Sequence, residues 1–246
     1  MRLTIDGVAC EAEAGEFVKA VAERAGITIP SICHHSALPG LAACRLCLVE
    51  ATPAGKRTEV VTSCVYPVSE GLQVVTMSER IQRLRRTVLK LLICRAPAAE
   101  GRLAEYCQEY GVQNNFTPPD PDEKCILCGL CVKACEELGP AAIATVMRGV
   151  DKQIQSAFAE APTDCIGCSS CAKVCPTGKI SCTDDGESRV IWGKRFHLEK
   201  CPVCGRPFAT SEELAWLTHR QVGESLDLTL CPSCRAQQAA KQSVRG

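Results

Sequence analysis

Eight cysteines between Cys125 and Cys175 fall into two copies of one spacing, and this restricts the chain more than any other feature. The first copy is Cys125-Ile-Leu-Cys128-Gly-Leu-Cys131-Val-Lys-Ala-Cys135. The second is Cys165-Ile-Gly-Cys168-Ser-Ser-Cys171-Ala-Lys-Val-Cys175, followed by Pro176. Two-residue gaps wrap three thiolates around one side of a small body, and backbone N–H groups in so tight a loop point at the sulfurs. Gly129 and Gly167 relieve the turn where the chain must run close to whatever the thiolates hold. Paired C-x-x-C also binds zinc, but zinc would leave the third and fourth cysteines of each run without a purpose.

The doubled C-x2-C-x2-C-x3-C run resembles that of bacterial two-cluster ferredoxins, in which three cysteines of a run hold one cubane and the fourth reaches across to the other. One [4Fe–4S] cluster is therefore expected on Cys125, Cys128, Cys131 and Cys175. The second is expected on Cys165, Cys168, Cys171 and Cys135.

At 246 residues the chain suits two or three small domains and is long enough to bury a core without staples, so its twenty cysteines need another use. Residues 1–9 read as a strand rather than a secretory start, and the best apolar stretch, near Val88 to Ile93, is broken by Lys90. Clustered C-x-x-C pairs without a signal sequence point to a reducing, cytoplasmic interior and metal binding rather than disulfides. A formal charge of zero gives no electrostatic case for nucleic acid.

From the start, Leu3 to Ile5 and Val8 to Glu11 alternate around Asp6-Gly7, a tight-hairpin signal. Glu16 to Ala25 reads as a helix stopped by Gly26, and Leu48 to Glu50, Val60-Val61 and Leu72 to Thr76 read as strands. A hairpin, a helix and further strands around a cysteine loop predict a β-grasp domain. Its Cys33, Cys44, Cys47 and Cys64 suit a [2Fe–2S] cluster, with a first gap wider than the plant-type spacing. A four-thiolate zinc knot is the rival there; His34 and His35 read as loop residues, since four thiolates already satisfy the site.

The segment from Cys33 through Cys44-Arg-Leu-Cys47-Leu-Val-Glu50 resembles the N-terminal domain of the respiratory complex I large iron–sulfur subunit. It equally resembles the small diaphorase subunit of NAD-linked [NiFe] hydrogenases, as does Met147-Arg-Gly-Val-Asp151. The resemblance implies an electron-relay subunit, not itself catalytic, of an NAD(P)-linked oxidoreductase complex. Its neighbours would be a flavoprotein subunit with FMN and NAD(H), and a terminal hydrogenase, formate dehydrogenase or ferredoxin; an electron-bifurcating version fits as well. Relatives usually carry a further cubane on one histidine and three cysteines between the two domains. Here only Cys94 and Cys107 stand in that stretch, with no histidine from Leu72 to Cys125, so that cluster is expected to be absent.

Thr76-x-x-Glu79 reads as a capping box opening a helix from about Ser78 to Arg95. Its stripe is Ile81, Leu84, Val88 and Leu91, and Arg80, Arg83, Arg85 and Arg86 face elsewhere as a solvated or partner-docking face. Thr117-Pro-Pro-Asp-Pro-Asp reads as a linker, and Ala142 to Met147 and Gln153 to Phe158 as an antiparallel pair. Cys10 and Cys182 are left over as structural residues.

The end of the chain adds Cys201-Pro-Val-Cys204 and Cys231-Pro-Ser-Cys234, two knuckles about two dozen residues apart, which is zinc-ribbon spacing. A rubredoxin-like iron site is the rival, disfavoured by a predicted helix at Ser211 to His219; His219 reads as a surface residue. Zinc would fold a tail with no other core, free to dock on a partner subunit.

The expected architecture is α+β in four parts. These are a β-grasp [2Fe–2S] ferredoxin domain at 1–77, a helical connector at 78–118, a two-[4Fe–4S] module at 119–190 and a zinc-ribbon-like tail at 191–246. Neither a G-x-G-x-x-G after a strand nor a P-loop is present, so no dinucleotide site is expected within this sequence. The competing classes are a zinc-rich structural or nucleic-acid-binding scaffold and a free-standing ferredoxin.

Overall fold

Two residues in left-handed conformation, Asp6 (φ 49°) and Gly7 (φ 81°), turn the chain between strands β1 (Arg2–Ile5) and β2 (Val8–Glu11). This is the two-residue hairpin geometry that matches strand twist. In the computed structural model the described residues are 1–118, 120–156, 160–220 and 227–243, the side chains of 242 and 243 excepted.

Helix α1 (Val18–Arg24) buries Val18, Val21 and Ala22 and stops before Gly26 at φ 75°. It lies over a sheet completed by β3 (Leu48–Thr52), β4 (Glu59–Thr62) and β5 (Gln73–Val75), in the order β2-β1-β5-β3-β4. β1 and β5 run parallel and the other pairs antiparallel, so the last strand enters at the centre. The inward residues of the central strands, Leu3, Ile5, Val49, Ala51 and Val74, meet the helix in one core with Leu72. The Asp6 carboxylate accepts from both the Thr76 N–H (2.7 Å) and its hydroxyl, tying the hairpin turn to the end of β5.

That contact corrects the capping box. Thr76 is spent on Asp6, and Ser78 caps helix α2 (Glu79–Arg95), its hydroxyl accepting from the Ile81 N–H at 3.2 Å. The expected stripe is corrected as well. Ile81, Arg85 and Leu89 form the buried line, whereas Leu91 is 63% exposed. Helix α3 (Arg102–Glu109) packs on α2 and buries Leu103 and Cys107.

Helix α4 (Leu130–Leu138) follows the first cysteine loop, and the short α5 (Ser170–Lys173) the second. Between them β6 (Ala144–Val146) and β7 (Gln153–Gln155) pair antiparallel; residues 157–158 of the expected second strand lie outside the described residues. A four-stranded antiparallel sheet follows, with β8 (Cys182–Asp184), β9 (Ser188–Ile191), β10 (Lys194–Lys200) and β11 (Pro207–Thr210) in sequence order across it. Helices α6 (Ser211–His219) and α7 (Pro232–Ser243) complete the described elements.

This sheet runs across residue 190, joining the end of the cysteine module to the tail. Phe196 of β10 packs in one core with Cys131, Ile143, Cys171 and Ile191, so the start of the tail is built onto the cysteine module, while Cys201, Leu230, Cys231 and Cys234 form a separate small cluster with Phe208 against it.

Candidate iron–sulfur and metal sites

An irregular loop carries Cys33 and Cys44 to the start of β3, where Cys47 sits, and Cys64 follows β4. All four are buried. The Cys47 and Cys64 sulfurs are 3.4 Å apart, and the Cys44 N–H donates to Cys33 Sγ at 3.2 Å. Hydrogen bonding with Cys33 holds the Cys44 thiol down at about 6, and Cys64 does the same for Cys47 at about 7. The partner thiols Cys33 and Cys64 are pushed up by the same contacts. Burial lowers the His34 titration, and its Nε2 is 3.8 Å from a Glu23 oxygen; the neighbouring His35 accepts the Ala37 N–H.

Arg85 is fully buried beneath this loop, contrary to its expected outward placement. Its Nε and Nη2 donate to the carbonyls of Leu46 (3.2 Å) and Leu48 (2.7 Å), on either side of Cys47, and Nη1 to the Tyr110 hydroxyl (3.3 Å). No carboxylate pairs with it among the described residues. Its charge suits the excess negative charge that four thiolates bring. Sequence periodicity missed it because a helical arginine is ordinarily placed outside.

In the double run, Gly129 (φ 79°) and Gly167 (φ 70°) take the left-handed turns. At both ends the fourth cysteine of one run lies near the first three of the other. Cys135, from the first run, lines one apolar cavity with Cys165, Cys168 and Cys171 of the second, walled by Ile143, Ile191 and Trp192. At the other end burial raises the thiols of Cys125, Cys128 (about 12) and Cys131, and the nearby Cys175 adds like-charge repulsion to each. Burial pushes Cys175 itself up, but the backbone N–H groups of Thr177, Ile180 and Lys179 together with the Thr177 hydroxyl bring the thiol down. Backbone N–H groups point at sulfur as the spacing demands: Leu127 to Cys125 at 3.3 Å and Ala142 to Cys135 at 3.2 Å. Among the described residues, no three cysteines of either run converge to single-ion spacing. Cys135, Cys165, Cys168 and Cys171 line a small apolar cavity instead.

The loops are linked. Ile32, Cys33, Cys44 and Ile126 share a buried cluster with Leu41 and Cys128 packed against it, so Cys33 and Cys44 meet the first run in one core, while Cys47 and Cys64 belong to the β-sheet core. Cys94 on α2 is half-buried and Cys107 on α3 packs into the same core.

At the tail, the sulfurs of Cys201, Cys204, Cys231 and Cys234 all lie within 4.8 Å of one another, three buried and Cys204 exposed. Four sulfurs so close together could hold a metal ion. The Cys231 N–H holds the Cys201 thiol down at about 6, whereas hydrogen bonds with Cys204 and Cys231 push Cys234 up to about 12. Exposed His219 stands outside this group.

Trp192 was also missed: its indole N–H donates to Cys171 Sγ at 3.4 Å. It occupies a Trp-Gly turn between β9 and β10, with φ of 54° and 74°, and that alternating hairpin was the available signal. The tail does not stand free. Phe196 and Thr210 pack on Gly167, the Thr210 hydroxyl donates to the Ile166 carbonyl, and Trp216 reaches the Leu138 carbonyl at 3.2 Å.

Residues 1–79 match the family of 2Fe-2S iron-sulfur cluster binding domains and residues 124–179 that of 4Fe-4S dicluster domains. The chain is 32% identical over 227 residues to the alpha subunit of the NADPH-Fe(3+) oxidoreductase of Geobacter sulfurreducens (strain DL-1 / KN400), covering 82% of this chain and 26% of the relative. It is 29% identical over 226 residues to NADP-reducing hydrogenase subunit HndD of Solidesulfovibrio fructosivorans, 78% of this chain and 37% of that one. It thus spans between about a quarter and two fifths of these relatives' lengths. A chain in the crystal structure of an NAD+-reducing [NiFe]-hydrogenase in the H2-reduced state superposes with a TM-score of 0.63 at 29% identity, over 72% of this chain and 85% of that chain. Among the described residues no helix is long and apolar enough to cross a membrane. With a 2Fe-2S domain ahead of a 4Fe-4S dicluster domain, this chain is a homologue of the iron–sulfur electron-transfer subunits of NAD(P)-linked oxidoreductase and hydrogenase complexes.

Proposed function

We propose that the chain is a cytoplasmic electron relay of three clusters, which leaves substrate chemistry to its partner subunits. Cys33, Cys44, Cys47 and Cys64 hold a [2Fe–2S] cluster. Cys125, Cys128, Cys131 and Cys175 hold one [4Fe–4S] cluster, and Cys165, Cys168, Cys171 and Cys135 the other. Such clusters, when bound, take up and return single electrons. The observation that carries the reading is the shared core in which Cys44 of the first site and Cys128 of the second pack among the same apolar residues. Around it, Ile32, Leu46 and Leu89 keep water from the sulfurs.

By analogy with the relatives, the [2Fe–2S] end faces a flavoprotein carrying FMN and the NAD(P)(H) site. The two-cubane end faces a hydrogenase, a formate dehydrogenase or a ferredoxin. Cys201, Cys204, Cys231 and Cys234 bind structural zinc, supported by their mutual spacing.

Anaerobic purification with metal analysis tests this. The expected protein is brown, bleaches with dithionite, gives paramagnetic signals on reduction and contains about ten irons and one zinc per chain. A colourless zinc protein, or turnover of a substrate by the chain alone, overturns it. Isolation without any stable partner supports the free-standing ferredoxin instead.

A further inference from the structure

The four-stranded C-terminal sheet does more than cover the second cysteine loop. Trp192 donates its indole N–H to Cys171 Sγ at 3.4 Å. Lys194 Nζ donates to the carbonyls of Cys165 (2.9 Å) and Thr163 (3.0 Å) and lies over the Phe196 ring. Arg189 Nη1 donates to the Gly167 carbonyl at 2.9 Å, but its charge is matched by a two-point pair with Asp184. Lys194 has no carboxylate partner among the described residues, so it brings an uncompensated positive charge to the loop.

The first run is surrounded differently. The Glu123 carboxylate accepts from the Cys125 N–H at 2.7 Å and is paired with Lys179 at 2.7 Å and, more distantly, Arg95. The Thr177 hydroxyl stands 3.7 Å from Cys175 Sγ. An N–H···S bond and a nearby cation both favour the more negative, reduced form of a thiolate-bound cluster, and so raise its reduction potential.

We infer that Trp192 and Lys194 are positioning residues that raise the reduction potential of the cluster held by Cys135, Cys165, Cys168 and Cys171, and that the C-terminal sheet exists in part to deliver them. This rests on the relay reading above. The strand pair β9–β10 fixes both donors, since Trp192 occupies its turn and Lys194 begins its second strand.

The test is a redox titration of the full chain followed by electron paramagnetic resonance, comparing wild type with Trp192→Phe, Lys194→Met and Lys194→Arg. Removal of one bond to a charged sulfur is expected to shift the equilibrium of one cubane signal about tenfold toward oxidised, or about 59 mV for a one-electron couple. Lys194→Met is expected to shift the same signal in the same direction, and Lys194→Arg to restore it. The other cubane signal stays in place and serves as the internal reference. Two intact cubane signals that do not move in Trp192→Phe or Lys194→Met overturn the inference alone. Absence of cubane signals from the wild type overturns the relay reading instead. Equal movement of both signals in either variant counts as general loosening and against the inference.

Discussion

Arg85 Nη2 donates to the Leu48 carbonyl at 2.7 Å, so a fully buried cation on helix α2 holds the strand that begins just after Cys47. With Nε on the Leu46 carbonyl, the guanidinium fork holds the chain on both sides of Cys47. Arg85→Met leaves two buried carbonyls without donors, and each such group costs about 1–3 kcal/mol. The expected result is a loss of about 2–5 kcal/mol in a denaturant titration of the N-terminal domain. Arg85→Lys recovers part, since an ammonium keeps the charge but not the fork. An unchanged unfolding midpoint in Arg85→Met would show that the fork is dispensable.

The crossed ligand assignment makes a paired expectation. Cys135→Ser and Cys168→Ser should abolish one and the same cubane signal, and Cys175→Ser and Cys128→Ser the other. If Cys135→Ser silenced the signal that Cys128→Ser silences, each run would hold its own cluster.

Metal uptake at the tail should depend on pH in two regimes. Cys201 is held at about 6, below the unfolded thiol, so its thiolate is ready at neutrality and is lost as pH falls through about 6. Cys234, raised to about 12, must give up a proton to the metal throughout the neutral range. Zinc affinity, measured by competition with a chromophoric chelator, should therefore fall with acidification and fall more steeply below about pH 6. A pH-independent affinity would mean that the metal does not meet these thiols.

Gly167→Ala probes the contact between tail and loop. An added Cβ would stand 2.7 Å from Phe196 Cγ and 2.9 Å from Thr210 Cγ2, at a φ of 70° that side chains avoid. Overpacking of this kind costs about 1–3 kcal/mol. The variant should melt earlier and bleach one cubane faster in air, while the [2Fe–2S] absorption persists. A wild-type melting curve would show that the sheet yields without cost.

Much of the fold was legible where local chemistry decides it. The Asp6-Gly7 turn, the extent of α6 and the two glycines of the cysteine loops follow from residues that tolerate left-handed backbone or cap a helix. The cysteine spacing was legible because ligand loops are short and local. Partners distant in sequence were not legible. Nothing in the i, i+4 pattern marks Arg85 as buried, because what buries it is the carbonyls of Leu46 and Leu48, nearly forty residues upstream. Likewise Trp192 and Lys194 read as an ordinary strand turn until β9–β10 is laid on the Cys165 loop.

The Leu138 carbonyl, just beyond Cys135, receives both Trp216 Nε1 and Arg220 Nη1 at 3.2 Å. On a ribosome, the last cubane cysteine, Cys175, is made forty-one residues before Trp216. During synthesis the loops are thus complete while the clasp that shuts over them does not yet exist. A chain that ends before α6 therefore keeps all eight cysteines of the two runs and loses both donors to Leu138.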